Sequence, residues 1–293
     1  MSVKIITDTS ADLNREDIEK YGIEVLSFRS IFGDEVYNSG VDLTNDEFFE
    51  KLANSPSLPT TSQTPPQEMY DIFKKAAESF DEVIYFCISS KGSGQYNTAC
   101  MLREQLLEEK PDAKLFIVDT RAYSVYIGKA SIYAAQLAAQ GLGAEEIIEK
   151  AKELIRCWHC LLLVDDLTYL QKGGRIKKST AVLGTMLDIK PVLMVQDGMI
   201  EAEDKLRGSK KIVSKLVSKI EENGDADTDA PEFLVVHSDE ERAAELCEKL
   251  EEIYGSGTVS MICRFGPIIG THVGSGAFAV VYKTKEPFIS LDD

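Results

Sequence analysis

The run Val83-Ile84-Tyr85-Phe86-Cys87-Ile88 is apolar at every position and leads directly into Ser89-Ser90-Lys91-Gly92-Ser93-Gly94. A strand with one wet face alternates polar and apolar side chains, whereas an unbroken apolar run belongs to a strand covered on both faces, as in a parallel sheet flanked by helices. Gln95 to Glu109 follows with the composition of a helix, so strand, glycine-bearing loop and helix occur in that order. Leu115 to Val118 repeats the buried-strand pattern, and Lys4 to Ile6 is a shorter copy that ends in Thr7-Asp8-Thr9-Ser10. Helices over Gly128 to Gln140 and Ala144 to Arg156 complete an alternation that predicts right-handed crossovers and a doubly wound α/β sheet.

Local signals fill in the rest of the first half. The helix through Ile18 stops at Gly22, Val25 to Phe32 reads as one strand, and Gly33-Asp34 is a hairpin turn. Thr44 and Glu47 form a capping box for a helix over Asn45 to Asn54. Thr64 is expected to cap a helix with Pro65 in its first position.

The second half changes style. Leu161 to Val164 is a strand, and Val192 to Gln196 returns through Asp197-Gly198 to Ile200, which signals antiparallel pairing. Ser209 to Asn223 and Glu240 to Tyr254 are helical, with Phe233 to Val236, Val259 to Cys263 and Phe278 to Tyr282 as further strands of an α+β unit. The acidic stretch Gly224 to Pro231 reads as a tolerant connection. At 293 residues the chain exceeds one ordinary core, so two domains meeting at a cleft are expected, residues 1–158 and 159–293.

Lys and Arg total 32 against 49 Asp and Glu, a net charge of −17 that repels a polyanion and argues against nucleic acid as partner. No apolar run approaches the ~20 residues that span a bilayer, and Met1 leads straight into the strand-like Val3 to Ile6 without a signal-peptide layout, so a cytoplasmic location is expected. The six cysteines are scattered among apolar runs and read as buried free thiols. Cys157-Trp158-His159-Cys160 lacks a second pair for zinc and follows a helix C-terminus, where the dipole disfavours a thiolate; no metal site is expected.

The loop Ser89 to Gly94 falls at the carboxyl end of a parallel strand, where open α/β sheets bind ligands, and the next helix aims its N-terminal N–H groups at an anionic head group beside Ser93. A plain tight turn is the bland alternative. The Gly-Lys-[Ser/Thr] ending of a phosphate-binding loop is missing, and Asn97 stands where a dinucleotide fingerprint has its last glycine, so neither ATP nor NAD is supported. A serine hydrolase using Ser93 and His272 is a rival reading, although the sequence around Ser93 is not the G-x-S-x-G elbow. Thr60 to Thr64 supplies five polar side chains, of which Thr61 and Ser62 lie too far upstream to cap the following helix and are free for a ligand. His272 sits in the glycine-rich stretch Gly266 to Gly276, read as a flexible polar loop. Cations form acid-free runs at Lys172, Arg175, Lys177 and Lys178 and at Lys205, Arg207, Lys210, Lys211, Lys215 and Lys219. Solvated faces explain most of them, while Arg175, directly after Gly173-Gly174, is placed to meet a phosphate or an acidic partner.

TTSQ at Thr60 to Gln63, ISSKGSGQYNTA at Ile88 to Ala99, LTYLQKGGRIKKSTAVLGTMLDIKPVL at Leu167 to Leu193 and GPIIGTHVGSG at Gly266 to Gly276 occur in the order of the DegV family, which the chain resembles over essentially its whole length. The resemblance implies an N-terminal Rossmann-like three-layer α/β/α sandwich and a smaller C-terminal α/β domain, with a long-chain fatty acid buried between or beneath them. It implies a carrier without catalysis of its own, which presents the lipid to the catalytic subunit of a fatty acid kinase for acyl-phosphate formation and phospholipid synthesis. Thr61, Ser62, Ser93 and Gly94 would then hold the carboxylate, and Arg175 and His272 would assist at the head group during phosphotransfer. No cofactor beyond the bound fatty acid is implied, and the picture leaves room for transient contact with a membrane surface. The chain departs from the family pattern at Gly92 before Ser93, at Gln95 before Tyr96, at Ser275 where proline is common, and at Thr64-Pro65. These changes keep the donors and bear on loop stiffness, pocket shape and acyl preference.

Overall fold

The computed structural model describes residues 2–177, 189–207, 211–288 and 291, which leaves Lys178, Ser209 and Lys210 outside the described residues. The apolar run becomes β6 (Glu82–Cys87), buried at every position as a central parallel strand must be. It lies between β1 (Val3–Asp8) and β7 (Leu115–Asp119), with β2 (Glu24–Leu26) outside β1, and all neighbours are parallel. Helices α3 (Pro66–Ser79) and α4 (Gln95–Glu109) pack together as one layer, and α5 (Val125–Ala139), α6 (Ala144–Arg156) and α1 (Arg15–Tyr21) as another.

Val25 to Phe32 is not one strand. β2 ends at Leu26, and β3 (Arg29–Phe32) joins a separate antiparallel sheet with β4 (Glu35–Asn38) and β5 (Thr60–Ser62). The chain crosses between sheets because Phe28 N donates to Thr9 Oγ1 at 3.1 Å and Ser27 Oγ to the Ser39 carbonyl at 2.8 Å, bonds no continuous ladder could make. The capping box of Thr44 and Glu47 opens α2 (Asn45–Asn54) as expected. Thr64 does not cap α3, which starts after Pro65 without a side-chain cap. Its backbone N–H and hydroxyl bond the Gln95 side chain instead, at 3.1 and 3.0 Å.

Among the described residues the second half builds a six-stranded sheet from β8 (Trp158–Leu163), β9 (Ile189–Gln196), β10 (Met199–Arg207), β11 (Phe233–His237), β12 (Val259–Arg264) and β13 (Phe278–Lys283), in the order β10-β9-β8-β13-β11-β12. Its two faces serve different cores, because side chains alternate along a strand. Leu161, Leu163, Phe278 and Val280 face α8 (Ile212–Asn223) and α9 (Glu240–Tyr254) in a smaller cluster. Cys160, Leu162, Ala279 and Val281 face the main cluster, which continues into the parallel sheet. Two short helices, α7 (Thr168–Gly173) and α10 (Pro267–Val273), pack on each other between the sheets, with α10 also against α2, β3 and β5.

One buried carboxylate ties these parts. Asp12 accepts from Ser124 Oγ at the start of α5 and, at 2.9 Å, from Gly266 N at the start of α10. Burial pushes its carboxyl up to about 7. A second buried cluster corrects the reading of Gly224 to Pro231 as a mere connection. Asp225 lies 3.3 Å from His159 Nδ1, Glu203 lies 3.3 Å from His159 Nε2, and the Tyr282 hydroxyl meets Nδ1 at 2.8 Å. Phe288 stacks on the imidazole with ring centroids 3.8 Å apart. Burial alone would lower the His159 pKa, but the hydrogen bonds and charges of Asp225 and Glu203 outweigh it, so the group is raised and both carboxylates are lowered.

A histidine raised in the folded state stabilises fully below its ordinary pKa of 6.5 and loses that contribution as pH climbs through the raised value. The urea midpoint should therefore fall above pH 6.5 by more in the natural protein than in His159→Gln. Parallel pH profiles for the two proteins would contradict the pairing.

Candidate functional site

The loop after β6 is folded by its own backbone: Gly92 N and Ser93 N both donate to the Ser89 carbonyl, at 3.0 and 3.1 Å. Ser93 Oγ accepts from Gln95 N at 3.2 Å, so the serine side chain lies over the first turn of α4, where unpaired N–H groups favour an anion. Thr61 comes from β5, and alternation along that strand turns it inward while Ser62 is exposed. The TTSQ segment is sewn to α4 through Gln63 Oε1, which accepts from Thr98 Oγ1 at 3.1 Å, and through the paired bonds of Thr64 and Gln95.

His272 is not in a flexible polar loop. It lies on α10 between the buried Thr271 and Val273, and its Nε2 is 3.0 Å from Thr61 Oγ1. The stretch looks loose in sequence because glycine recurs, yet Gly270 is where Phe48 and Phe49 press against the helix. Burial, with help from the positive charge of Arg175, pulls the His272 imidazole down to about 4, so it is neutral at physiological pH. Arg175 follows α7 and spends its guanidinium on two carbonyls, those of Gly92 (Nε, 3.0 Å) and Gly173.

Thr61, Ser93, Arg175 and His272 thus line one end of a single narrow cavity of about 70 Å³ between the two larger sheets. Most of the rest of its wall is apolar, with Phe28, Ile88 and Val125 from the first half and Leu162, Val195 and Val281 from the second. Ser62 and Gly94 are not among the lining residues; Gly94 sits at the N-terminal end of α4 beside the Gln63 side chain. Tyr123 and Ser124 line the cavity but carry no motif that would single them out in sequence. Among the described residues no hydrogen bond joins Ser93 to His272, whose ring nitrogen faces Thr61 instead.

Three of the other cations are paired elsewhere. Lys177 meets Glu201 at 2.7 Å, Lys219 meets Asp204 at 2.9 Å, and Lys215 reaches the Arg207 carbonyl. All six cysteines are free, but only Cys87 and Cys160 are fully buried. Burial pushes the Cys160 thiol up to about 12, which makes it inert. Cys157 ends α6 while His159 and Cys160 point to opposite faces of β8, and no cluster of metal-ligating side chains occurs among the described residues. No described helix is long and apolar enough to cross a membrane.

A parallel sheet and a mixed sheet enclosing a cavity that is greasy along its walls and polar at one end define an α/β protein with an amphipathic interior. The chain belongs to the DegV family: the family model described as "Uncharacterised protein, DegV family" matches residues 2–285. A DegV domain-containing protein of Clostridium acetobutylicum is 34% identical over 288 residues, covering 98% of this chain and 99% of the relative. The solved structure of DegV from Bacillus subtilis, described as a fatty acid binding protein, superposes with a TM-score of 0.84 at 28% identity, covering 97% of this chain and 100% of that one. A stearic acid-binding protein from Eubacterium ventriosum gives a TM-score of 0.86 at 26% identity, covering 97% and 98%.

A histidine held at about 4 loses its neutral-state advantage as pH falls, because the unfolded chain takes up a proton near 6.5 and the folded chain does not. About 2 kcal/mol of stability should disappear between pH 6.5 and 5. His272→Gln should abolish that loss in chemical denaturation, and an equal loss in the variant would place the effect elsewhere.

Proposed function

We propose that the protein carries a long-chain fatty acid in this cavity, carboxylate toward Thr61 and Ser93, and presents it to a separate kinase subunit that forms the acyl-phosphate used in phospholipid synthesis. The observation that carries the reading is the convergence of Thr61, Ser93, Arg175 and His272, from four distant segments, on one end of a mostly apolar cavity. Solved relatives of the same fold described as fatty-acid-binding support it. The family's Ser62 and Gly94 would then act through the loop backbone and not through side chains in the cavity. The protein would work in the cytoplasm, whose reducing conditions suit six free thiols, and would touch a membrane surface only transiently. The reading calls for no metal or prosthetic group.

Burial gives about 0.8 kcal/mol per methylene, so a tail of about fourteen methylenes contributes roughly 11 kcal/mol. Hydrogen bonds to the carboxylate add about 1.5–3 kcal/mol each, and association costs about 4–15 kcal/mol. The tail therefore supplies most of the affinity, and the head contacts set which end faces out. His272, being neutral, can hydrogen-bond the head group without trapping it in an ion pair.

Native mass spectrometry of the purified protein should show bound acyl chains, and Ser93→Ala should bind added fatty acid roughly ten- to a hundredfold more weakly without loss of fold. Absence of any acyl ligand, with no uptake of added fatty acid, would end the proposal. Arg175→Ala should still carry lipid but yield little acyl-phosphate with the kinase and ATP; normal product formation would remove the arginine from phosphotransfer.

A further inference from the structure

A ring of contacts runs around the polar end of the cavity. From Arg175 it passes to the Gly92 carbonyl, which accepts from Nε at 3.0 Å. Gly92 lies under Tyr123 so closely that a Cβ there would fall 2.4 Å from the phenol oxygen and 2.6 Å from Cε1. The Tyr123 hydroxyl donates at 2.7 Å to the Gly198 carbonyl, at the tip of the β9–β10 hairpin, and Ser89 Oγ donates to the same carbonyl at 2.8 Å. Gly198 has φ of 76° and would place a Cβ 2.4 Å from Ser89 Oγ, so only glycine fits the tip. Two residues on, the Ile200 carbonyl accepts from Lys177 N at 2.8 Å and Ile176 bridges Ile200, which returns the ring to Arg175.

We infer that Tyr123 is a positioning residue that couples occupation of the carboxylate end to closure of the β9–β10 hairpin over the acyl tail. The inference rests on the fatty-acid reading above. The apolar lining of the cavity, including Phe28, Ile88, Leu162 and Val281, is buried, so a tail can reach it only if a wall parts for loading. The hairpin is the wall with least to lose: β10 is the edge strand of its sheet, ladder-bonded only to β9 among the described residues, with the Ile176 bridge on its outer side. Val195 and Ile200 of that hairpin line the cavity. An anion seated at Ser93 fixes the turn from Ser89 to Gly94; the turn fixes the ring of Tyr123 through Gly92, and the ring fixes the hairpin tip. This also explains glycine before Ser93, since any side chain at position 92 would collide with the tyrosine. An alcohol of equal length fills the tail space but gives the turn no charge to grip.

The test is hydrogen–deuterium exchange over residues 193–207, on delipidated natural protein and Tyr123→Phe, each alone, with palmitate and with cetyl alcohol. Palmitate should protect the hairpin of the natural protein well beyond what the alcohol does. In Tyr123→Phe, palmitate should still bind, but the added protection should shrink and release should quicken roughly three- to tenfold, as expected for one lost buried hydrogen bond. A merely structural tyrosine would loosen the hairpin equally with and without lipid, and that result overturns the inference. So does loaded Tyr123→Phe that is as protected and as slow to release as the natural protein, or alcohol that protects as well as palmitate. If Tyr123→Phe melts early, Ser89→Ala removes the other donor to Gly198 and is read by the same criteria. Failure of the natural protein to take up palmitate at all overturns the fatty-acid reading, and this inference with it.

Discussion

The arrangement hangs on a carboxylate that has no cation to answer it among the described residues. Asp12 is buried where the first half of the chain meets the second, and its two oxygens are satisfied by a serine hydroxyl and a backbone N–H that begin two different helices. An unpaired buried charge is expensive, which is why its proton is held to about 7. Such a group persists only where the geometry it enforces matters. Here it fixes the starts of α5 and α10, and with them Ser124 and Phe265, both of which line the cavity.

The polar end of that cavity is built mainly from dipoles. Arg175 is engaged with carbonyl oxygens, His272 is uncharged, and the remaining contributors are hydroxyls and the first turn of α4. In a low-dielectric interior, preorganised dipoles hold an anion without the desolvation cost of a buried ion pair. The overall charge of −17 makes the point sharper, since the chain as a whole would repel the carboxylate that the proposed function seats at this end.

Sequence disclosed the elements whose causes are local. The capping box fixes α2, and α4, α6 and α9 run over the residues their sequence patterns mark out. The unbroken apolar run at Val83 announced a strand covered on both sides. What could not be read was decided by distant partners: Phe28 leaves its strand for a threonine 19 residues back, Thr64 abandons its helix for Gln95, and the glycines around His272 serve a packed helix. Thr61, Ser93, Arg175 and His272 were visible as motif residues, but Asp12 and Tyr123 were silent, their partners lying 254 and 75 residues away. Asp225 and Glu203 were hidden for the same reason, in segments that look like ordinary acidic surface.

The six-stranded sheet is a single layer shared by two interiors. Along β8 and β13, each step of one residue switches a side chain from the wall of the cavity to the packing beneath α8 and α9. Inheritance can therefore edit the two sides separately: exchanges at Cys160, Leu162, Ala279 or Val281 reshape the space offered to a guest, while Leu161, Leu163, Phe278 and Val280 keep the scaffold rigid. Because the two sets share no position, the space inside the cavity can change shape without disturbing the packing that holds the sheet.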